Sequence, residues 1–142
     1  MKQLLLLSLL AQAFVAKAAD DPFGTEHHTR EYMGSIKNAQ SRVVYHLVNH
    51  YYTVQAAIVA HVHLELLVYN RRWRLIEKYV VDNPDGLPVL LRRNKLYFKT
   101  KDKRGAIIRH RQLINPAAPL PKCICVLPDN DCYFRQSTYG VL

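Results

Sequence analysis

The sequence predicts an α+β fold, in which one N-terminal α-helix packs on an antiparallel β-sheet. Between residues 36 and 48 apolar side chains recur at the spacing of one helical face, and between residues 54 and 68 they occupy every second position, as in a half-buried strand. With 142 residues, of which 49% are hydrophobic and 22% charged, the chain has room for one ordinary core. This composition excludes a disordered or collagen-like protein.

Residues 1–18 are expected to be a secretory signal peptide. Lys2 provides the positive start, residues 4–15 the apolar stretch, and Ala16 and Ala18 the small side chains of a cleavage site. A membrane helix needs about 20 apolar residues, and this run is shorter. We therefore expect a secreted protein whose mature form does not contact a membrane.

The rest of the chain divides into two parts. Residues 19–31 are polar without periodicity, which predicts a mobile arm. Residues 32–142 are expected to form a single domain, and we expect it to be a monomer. Without Lys2 and Lys17, 18 of the 20 Lys and Arg residues remain against 11 Asp and Glu, so the mature protein is basic and attracts anions.

The predicted helix begins at Ser35, whose hydroxyl is suited to capping the first turn. Its apolar stripe follows the i, i+3, i+7, i+8 pattern of a face that packs on a core. The stripe consists of Ile36, Ala39, Val43, Val44, Leu47 and Val48.

Several strands are predicted after the helix. The alternation from Val54 to Val68 indicates one long strand or two strands joined at a bulge, although its alanines leave a helix as an alternative. Residues 73–81 are rich in aromatic and β-branched side chains, which favours another strand, and residues 83–86 form a turn.

The C-terminal part contains a predicted hairpin. Its strands, residues 94–99 and 106–113, flank a turn over residues 100–105. Three prolines make residues 115–121 an extended loop, since proline has no backbone N–H to donate. A last strand is predicted over residues 122–126.

Three cysteines, Cys123, Cys125 and Cys132, are expected to form one disulfide and leave one thiol, because a secreted chain passes through an oxidising compartment. Cys132 is expected to take part in this disulfide, with either Cys125 or Cys123 as its partner. A zinc site is not expected, since a closed site needs four ligands and no histidine follows Cys132.

Histidine and glutamate residues suggest acid–base chemistry. His63 and Glu65, two residues apart on a predicted strand, face the same side of the sheet. If the hairpin brings Lys95 and His110 to that face, base, cation and acid would suit attack by an RNA 2′-hydroxyl on its phosphate. No cofactor is needed for such a reaction. The alternative is a solvated sheet face without chemistry.

The hairpin region is strongly basic, with Asp102 as its one acid between residues 92 and 111. Such a surface attracts phosphate backbones by releasing counterions, and a tyrosine can stack on bases. The alternative is a solubilising basic hairpin. The predicted RNA-binding residues are Arg92, Arg93, Lys95, Tyr97, Lys99, Lys101, Lys103, Arg104, Arg109 and Arg111.

The segments at residues 94–98 and 104–110, followed by Cys123, resemble the secreted fungal ribonucleases of the T1/F1 type. They are still more similar to the degenerate ribonuclease-like effectors of cereal powdery mildews. The resemblance implies a microbial ribonuclease-like fold for residues 32–142.

Departures from the family pattern lie at its functional positions. Tyr32-Met33-Gly34 stands where the effectors have Tyr-x-Cys, and Lys95 replaces a catalytic arginine, losing its bidentate phosphate contact. The resemblance therefore implies a secreted virulence effector that is not an active enzyme and binds RNA or a host plant protein. One alternative is an active guanyl-type ribonuclease with His63 or Glu65 as base and His110 as acid. The other is an unrelated basic secreted protein that binds polyanions.

Overall fold

The computed structural model describes residues 27–56, 58–126 and 131–137. This part of the chain contains nine β-strands and one short 3-10 helix over Pro84–Gly86. The strands are β1 His27–Lys37, β2 Val43–Ala56, β3 Val59–Asn70, β4 Leu75–Val81, β5 Leu90–Arg92, β6 Lys95–Lys101, β7 Ile107–Leu113, β8 Cys123–Val126 and β9 Asp131–Ser137.

The strands form two antiparallel sheets. The larger sheet has six strands in the order β1-β2-β3-β4-β9-β8, and the smaller one has the order β5-β6-β7. Within each sheet, strands that follow one another in sequence pair antiparallel, and the last strand, β9, pairs with both β8 and β4. The chain changes sheets between β4 and β5 and again between β7 and β8. The longest hairpin joins β2 to β3 and runs from the Tyr45–Asn70 pair to the Ala56–Val59 pair.

The hydrophobic core joins one face of the curled six-stranded sheet to the inner face of the three-stranded sheet. Loop residues close it at the sides. Its most deeply buried members include Ile36, Leu47, Leu66, Val68 and Tyr79 from the larger sheet and Leu96 and Phe98 from the smaller one.

Polar side chains also connect the two sheets. The Asn94 side chain, in the β5–β6 turn, accepts a hydrogen bond from Lys37 N at 2.9 Å and donates one to Lys37 O at 2.7 Å. Asn49 Nδ2 on β2 donates to Pro88 O at 2.8 Å. These bonds to backbone atoms hold the β5–β6 hairpin against the first strands.

The predicted α+β class and its N-terminal helix are wrong. Residues 35–48, predicted to be helical, contain the end of β1, a turn and the first part of β2. The Asn38 side chain accepts hydrogen bonds from Gln40 N at 3.0 Å and Arg42 N at 2.9 Å. These bonds stabilise a turn at the point where a helix would need its own backbone bonds.

Several of the other predicted secondary-structure elements are present in the structure. The hairpin and the strand that became β8 are confirmed, and the strand predicted over residues 73–81 begins only at Leu75, because Trp73 lies in the preceding turn with positive φ. The alternating segment is divided by a turn between β2 and β3, so it is neither one long strand nor a bulged one. Residues 27–31 of the predicted arm are the exposed start of β1, and the predicted signal peptide lies outside the described residues. Strand β9 was not predicted.

Three hairpin turns share one design. Each begins with an Asn or Asp whose side chain accepts two backbone N–H bonds, and each has a residue with positive φ at its fourth position. The first residues are Asn38, Asn70 and Asp102, and the fourth are Ser41, Trp73 and Gly105, with φ of 59°, 61° and 79°.

Replacing Ser41 with glycine should stabilise the protein, because a side chain disfavours the left-handed conformation that glycine adopts freely. We expect Ser41→Gly to raise the free energy of unfolding by about 0.5–1 kcal/mol, measured by urea denaturation. The control is Gly105→Ser, where an added Cβ would meet no atom within 4 Å. It should lower stability through the backbone alone, and a gain there would contradict the explanation.

Cys125 and Cys132 form the disulfide between β8 and β9, so the first of the two predicted pairings is confirmed and Cys123 is the free cysteine. The bridge closes a short loop with a sequence separation of 7. Replacing both cysteines with alanine should lower the free energy of unfolding by about 2–3 kcal/mol. Cys123→Ala is the matched control. An equal loss in the control would show that thiol burial, and not the cross-link, matters.

Candidate nucleic-acid interface

Strand alternation places the basic residues of the small sheet on its outer face. In β6, Leu96, Phe98 and Thr100 are buried. The intervening Lys95 and Tyr97 are half-buried, and Lys99 and Lys101 are exposed. Side chains of one face recur about every 7 Å along a strand, so β6 presents three ammonium groups in one row, with Tyr97 between Lys95 and Lys99.

Neighbouring strands add cations to the same face. Arg109 on β7 is paired with Lys99, and Arg111 with Tyr97, while Arg92 on β5 is paired with Lys95. Directly paired residues of an antiparallel sheet point to the same side. Six cations and one tyrosine therefore share the surface that we call the basic face: Arg92, Lys95, Tyr97, Lys99, Lys101, Arg109 and Arg111.

The three remaining predicted RNA-binding residues lie at the ends of the basic face. Lys103 and Arg104 are in the β6–β7 turn, where the Asp102 side chain accepts a bond from Arg104 N at 2.8 Å. Arg93 is in the two-residue β5–β6 turn, with φ of 50°. Asp102, the one acid between residues 92 and 111, uses its side chain to accept backbone bonds within this turn, at the end of the basic face.

The structure does not bring the predicted catalytic residues together. His63 and Glu65 belong to the six-stranded sheet, whereas Lys95 and His110 belong to the three-stranded one. Lys95 points outward and His110 inward, where its ring lies 6.0 Å from that of Phe98. The base, cation and acid needed for RNA cleavage therefore do not share a surface.

Glu65 instead belongs to a buried hydrogen-bonded chain across four strands, which we call the histidine relay. Its carboxylate lies 3.0 Å from His50 Nδ1 on β2, and Lys78 Nζ on β4 donates to it at 3.2 Å. On the other side of the ring, His50 Nε2 lies 2.9 Å from Nδ1 of His28 on β1. The relay ties neighbouring strands together through polar groups.

Burial lowers the pKa of His50 below its ordinary value of 6.5. The hydrogen bond to the Glu65 carboxylate and the charge of that carboxylate oppose this shift of the pKa, while the nearby charges of Arg30 and His28 add to it. The ring is therefore neutral at pH 7, with Nδ1–H donating to Glu65. His50 and Lys78 were missed in the sequence because they become neighbours of Glu65 only through strand pairing.

Cys123 lies beside the disulfide, with its Sγ 4.0 Å from that of Cys125. All three sulfur atoms are within 4.8 Å of one another. Because the disulfide occupies two of them, the oxidised protein has a single free thiol at this place.

No family model, curated protein or solved structure matches the chain. Within the described ranges, no helix has the length and apolar character needed to cross a membrane. Function must therefore be inferred from the surfaces of this chain itself.

The histidine relay should make stability depend on pH. Because the folded-state pKa of His50 is lowered, the unfolded chain binds the proton more tightly, so stability is complete above pH 6.5 and falls as the pH drops below it. We expect the melting temperature to decline from pH 7 to pH 5, and His50→Gln to reduce this decline. The exposed His61→Gln is the control, and a similar reduction there would contradict the assignment.

Proposed function

We propose that the protein binds RNA through the basic face. Six cations and no acid on one solvent-facing surface support this proposal. Each phosphate contact by Lys or Arg releases counterions, so such a surface favours a phosphate backbone without reading its sequence.

Apolar side chains on the basic face favour RNA over a sulfated polysaccharide. Leu90, Ile107 and Leu113 are 49%, 52% and 55% exposed, and strand pairing sets them opposite Tyr97, Lys101 and Lys95. Unstacked bases are flat and apolar on their faces, and they pack on such side chains while phosphates contact the cations. A sugar polymer has no comparable apolar surface to bury.

The proposal does not depend on kinship with ribonucleases. The fold implied by that resemblance is not the fold of the described residues, and the catalytic groups are apart. Secretion and a role as an effector acting on a plant host stay predictions from the sequence. Binding without cleavage is the activity that the basic face supports.

The test measures fluorescence anisotropy of a labelled single-stranded RNA titrated with refolded protein at several salt concentrations. The double variant Lys99→Ser/Arg109→Ser removes one cross-strand pair of cations. We expect affinity at 0.1 M salt to fall about 10- to 30-fold and the salt slope to decrease by about 1.4. The control, Arg30→Ser/Lys122→Ser, removes the same charge from exposed positions outside the basic face.

Three results would contradict the proposal. Equal weakening by the control would show that net charge alone drives binding. Equal affinity of the wild-type protein for heparin would favour the general polyanion-binding alternative. RNA cleavage that disappears in His110→Ala would favour the active ribonuclease.

A further inference from the structure

A second concentration of cations lies at one end of the six-stranded sheet. The β1–β2 turn and the β3–β4 turn lie side by side there, since the start of β2 pairs with the end of β3 at Tyr45 and Asn70. A groove of about 490 Å³ lies between the two turns. Four of its lining residues are Arg42, Arg71, Arg72 and Arg74, and we call it the arginine groove.

Among the described residues, the arginine groove has no compensating negative charge. None of the ion pairs in this part of the chain involves these four arginines, and none of its acidic residues lines the groove. Its other polar side chains, Asn38 and Asn70, already accept hydrogen bonds from backbone N–H groups of their turns. Four guanidinium groups that repel one another are best neutralised by an anion of high charge density.

The turns hold their arginines in place. Asn70 Oδ1 accepts from Arg72 N at 2.9 Å and from Arg74 N at 3.0 Å. Trp73, between these arginines, stacks on His46 with ring centroids 3.9 Å apart. The backbone of the β3–β4 turn is therefore ordered before a ligand arrives, which lowers the entropy lost on binding.

We propose that the arginine groove binds a polyphosphate group, either in a nucleoside triphosphate or as inorganic polyphosphate. Guanidinium groups bind phosphate oxygens in a bidentate manner, and four of them match two or three linked phosphates better than one. The groove volume of about 490 Å³ is also larger than a single phosphate would fill. A water molecule takes about 30 Å³, and a phosphate group is only a few times larger than a water molecule. The proposal is independent of RNA binding by the basic face.

Trp73 distinguishes the two sources of this group. Its side chain is 54% exposed beside the groove arginines and presents an aromatic surface to a base. It is also the only tryptophan of the chain. Its fluorescence therefore reports on the β3–β4 turn, and calorimetry on the same samples measures affinity without an optical signal.

The experiment titrates the full-length refolded protein with sodium tripolyphosphate and, separately, with ATP. We expect saturable binding of one anion per chain and a change in Trp73 fluorescence. Arg42→Gln and Arg72→Gln should each weaken binding at least tenfold, whereas the conservative Arg72→Lys should weaken it less, because charge is kept and the bidentate contact is lost. Both arginines are exposed, so the variants should fold. Arg30→Gln, at an exposed position of β1 outside both the basic face and the arginine groove, is the control of equal charge.

Outcomes separate this proposal from the others. If ATP binds more tightly than tripolyphosphate and Trp73→Ala abolishes this difference in affinity, the site is assigned to a nucleotide. If the two anions bind with equal affinity, it is assigned to inorganic polyphosphate. The proposal is overturned if wild-type protein shows no saturable binding or if Arg30→Gln weakens binding as much as Arg72→Gln. RNA binding lost in Lys99→Ser/Arg109→Ser with tripolyphosphate binding retained would show that the two surfaces act separately.

Discussion

Hydrogen bonds that backbone N–H groups of the hairpin turns donate to Asn and Asp side chains are the interactions on which the structure most depends. They begin three of the turns, at Asn38, Asn70 and Asp102. Because side chains in a strand change face with every residue, a shift of one residue at such a turn would exchange the buried and exposed faces. The same bonds therefore determine which residues form the core and which cations face solvent.

The hairpin could be predicted from the sequence because one of its faces is buried. Strand β6 alternates between core and outer side chains, and this period is visible without knowing its partners. Strand β2 has no such period, since Leu47 and Val48 are both buried although they face opposite sides. Because β2 has apolar residues on both faces, their spacing resembles the apolar stripe of a helix. Asn38, whose side chain stabilises a turn, is the local signal that argues against the predicted helix.

Site prediction succeeded and failed for the same reason. Residues of the basic face lie on adjacent strands joined by short turns, so their grouping follows from alternation alone. Glu65 and His110 are on strands whose sheet membership is decided by long-range packing, which no local pattern records. The arginine groove lies between these two cases in how far the sequence predicts it. Its residues lie in two short turns, but the β1–β2 and β3–β4 turns meet only once β2 pairs with β3.

The placement of acids explains how a moderately basic chain presents two surfaces so rich in cations. Glu65 is buried and bound to His50 and Lys78, and Glu77 lies 3.7 Å from Arg135. Asp102 is engaged in its turn. In the described part of the chain, no ion pair joins these carboxylates to a cation of the basic face or the arginine groove. An external anion therefore meets cations that form no ion pairs among the described residues. This favours fast association at low ionic strength.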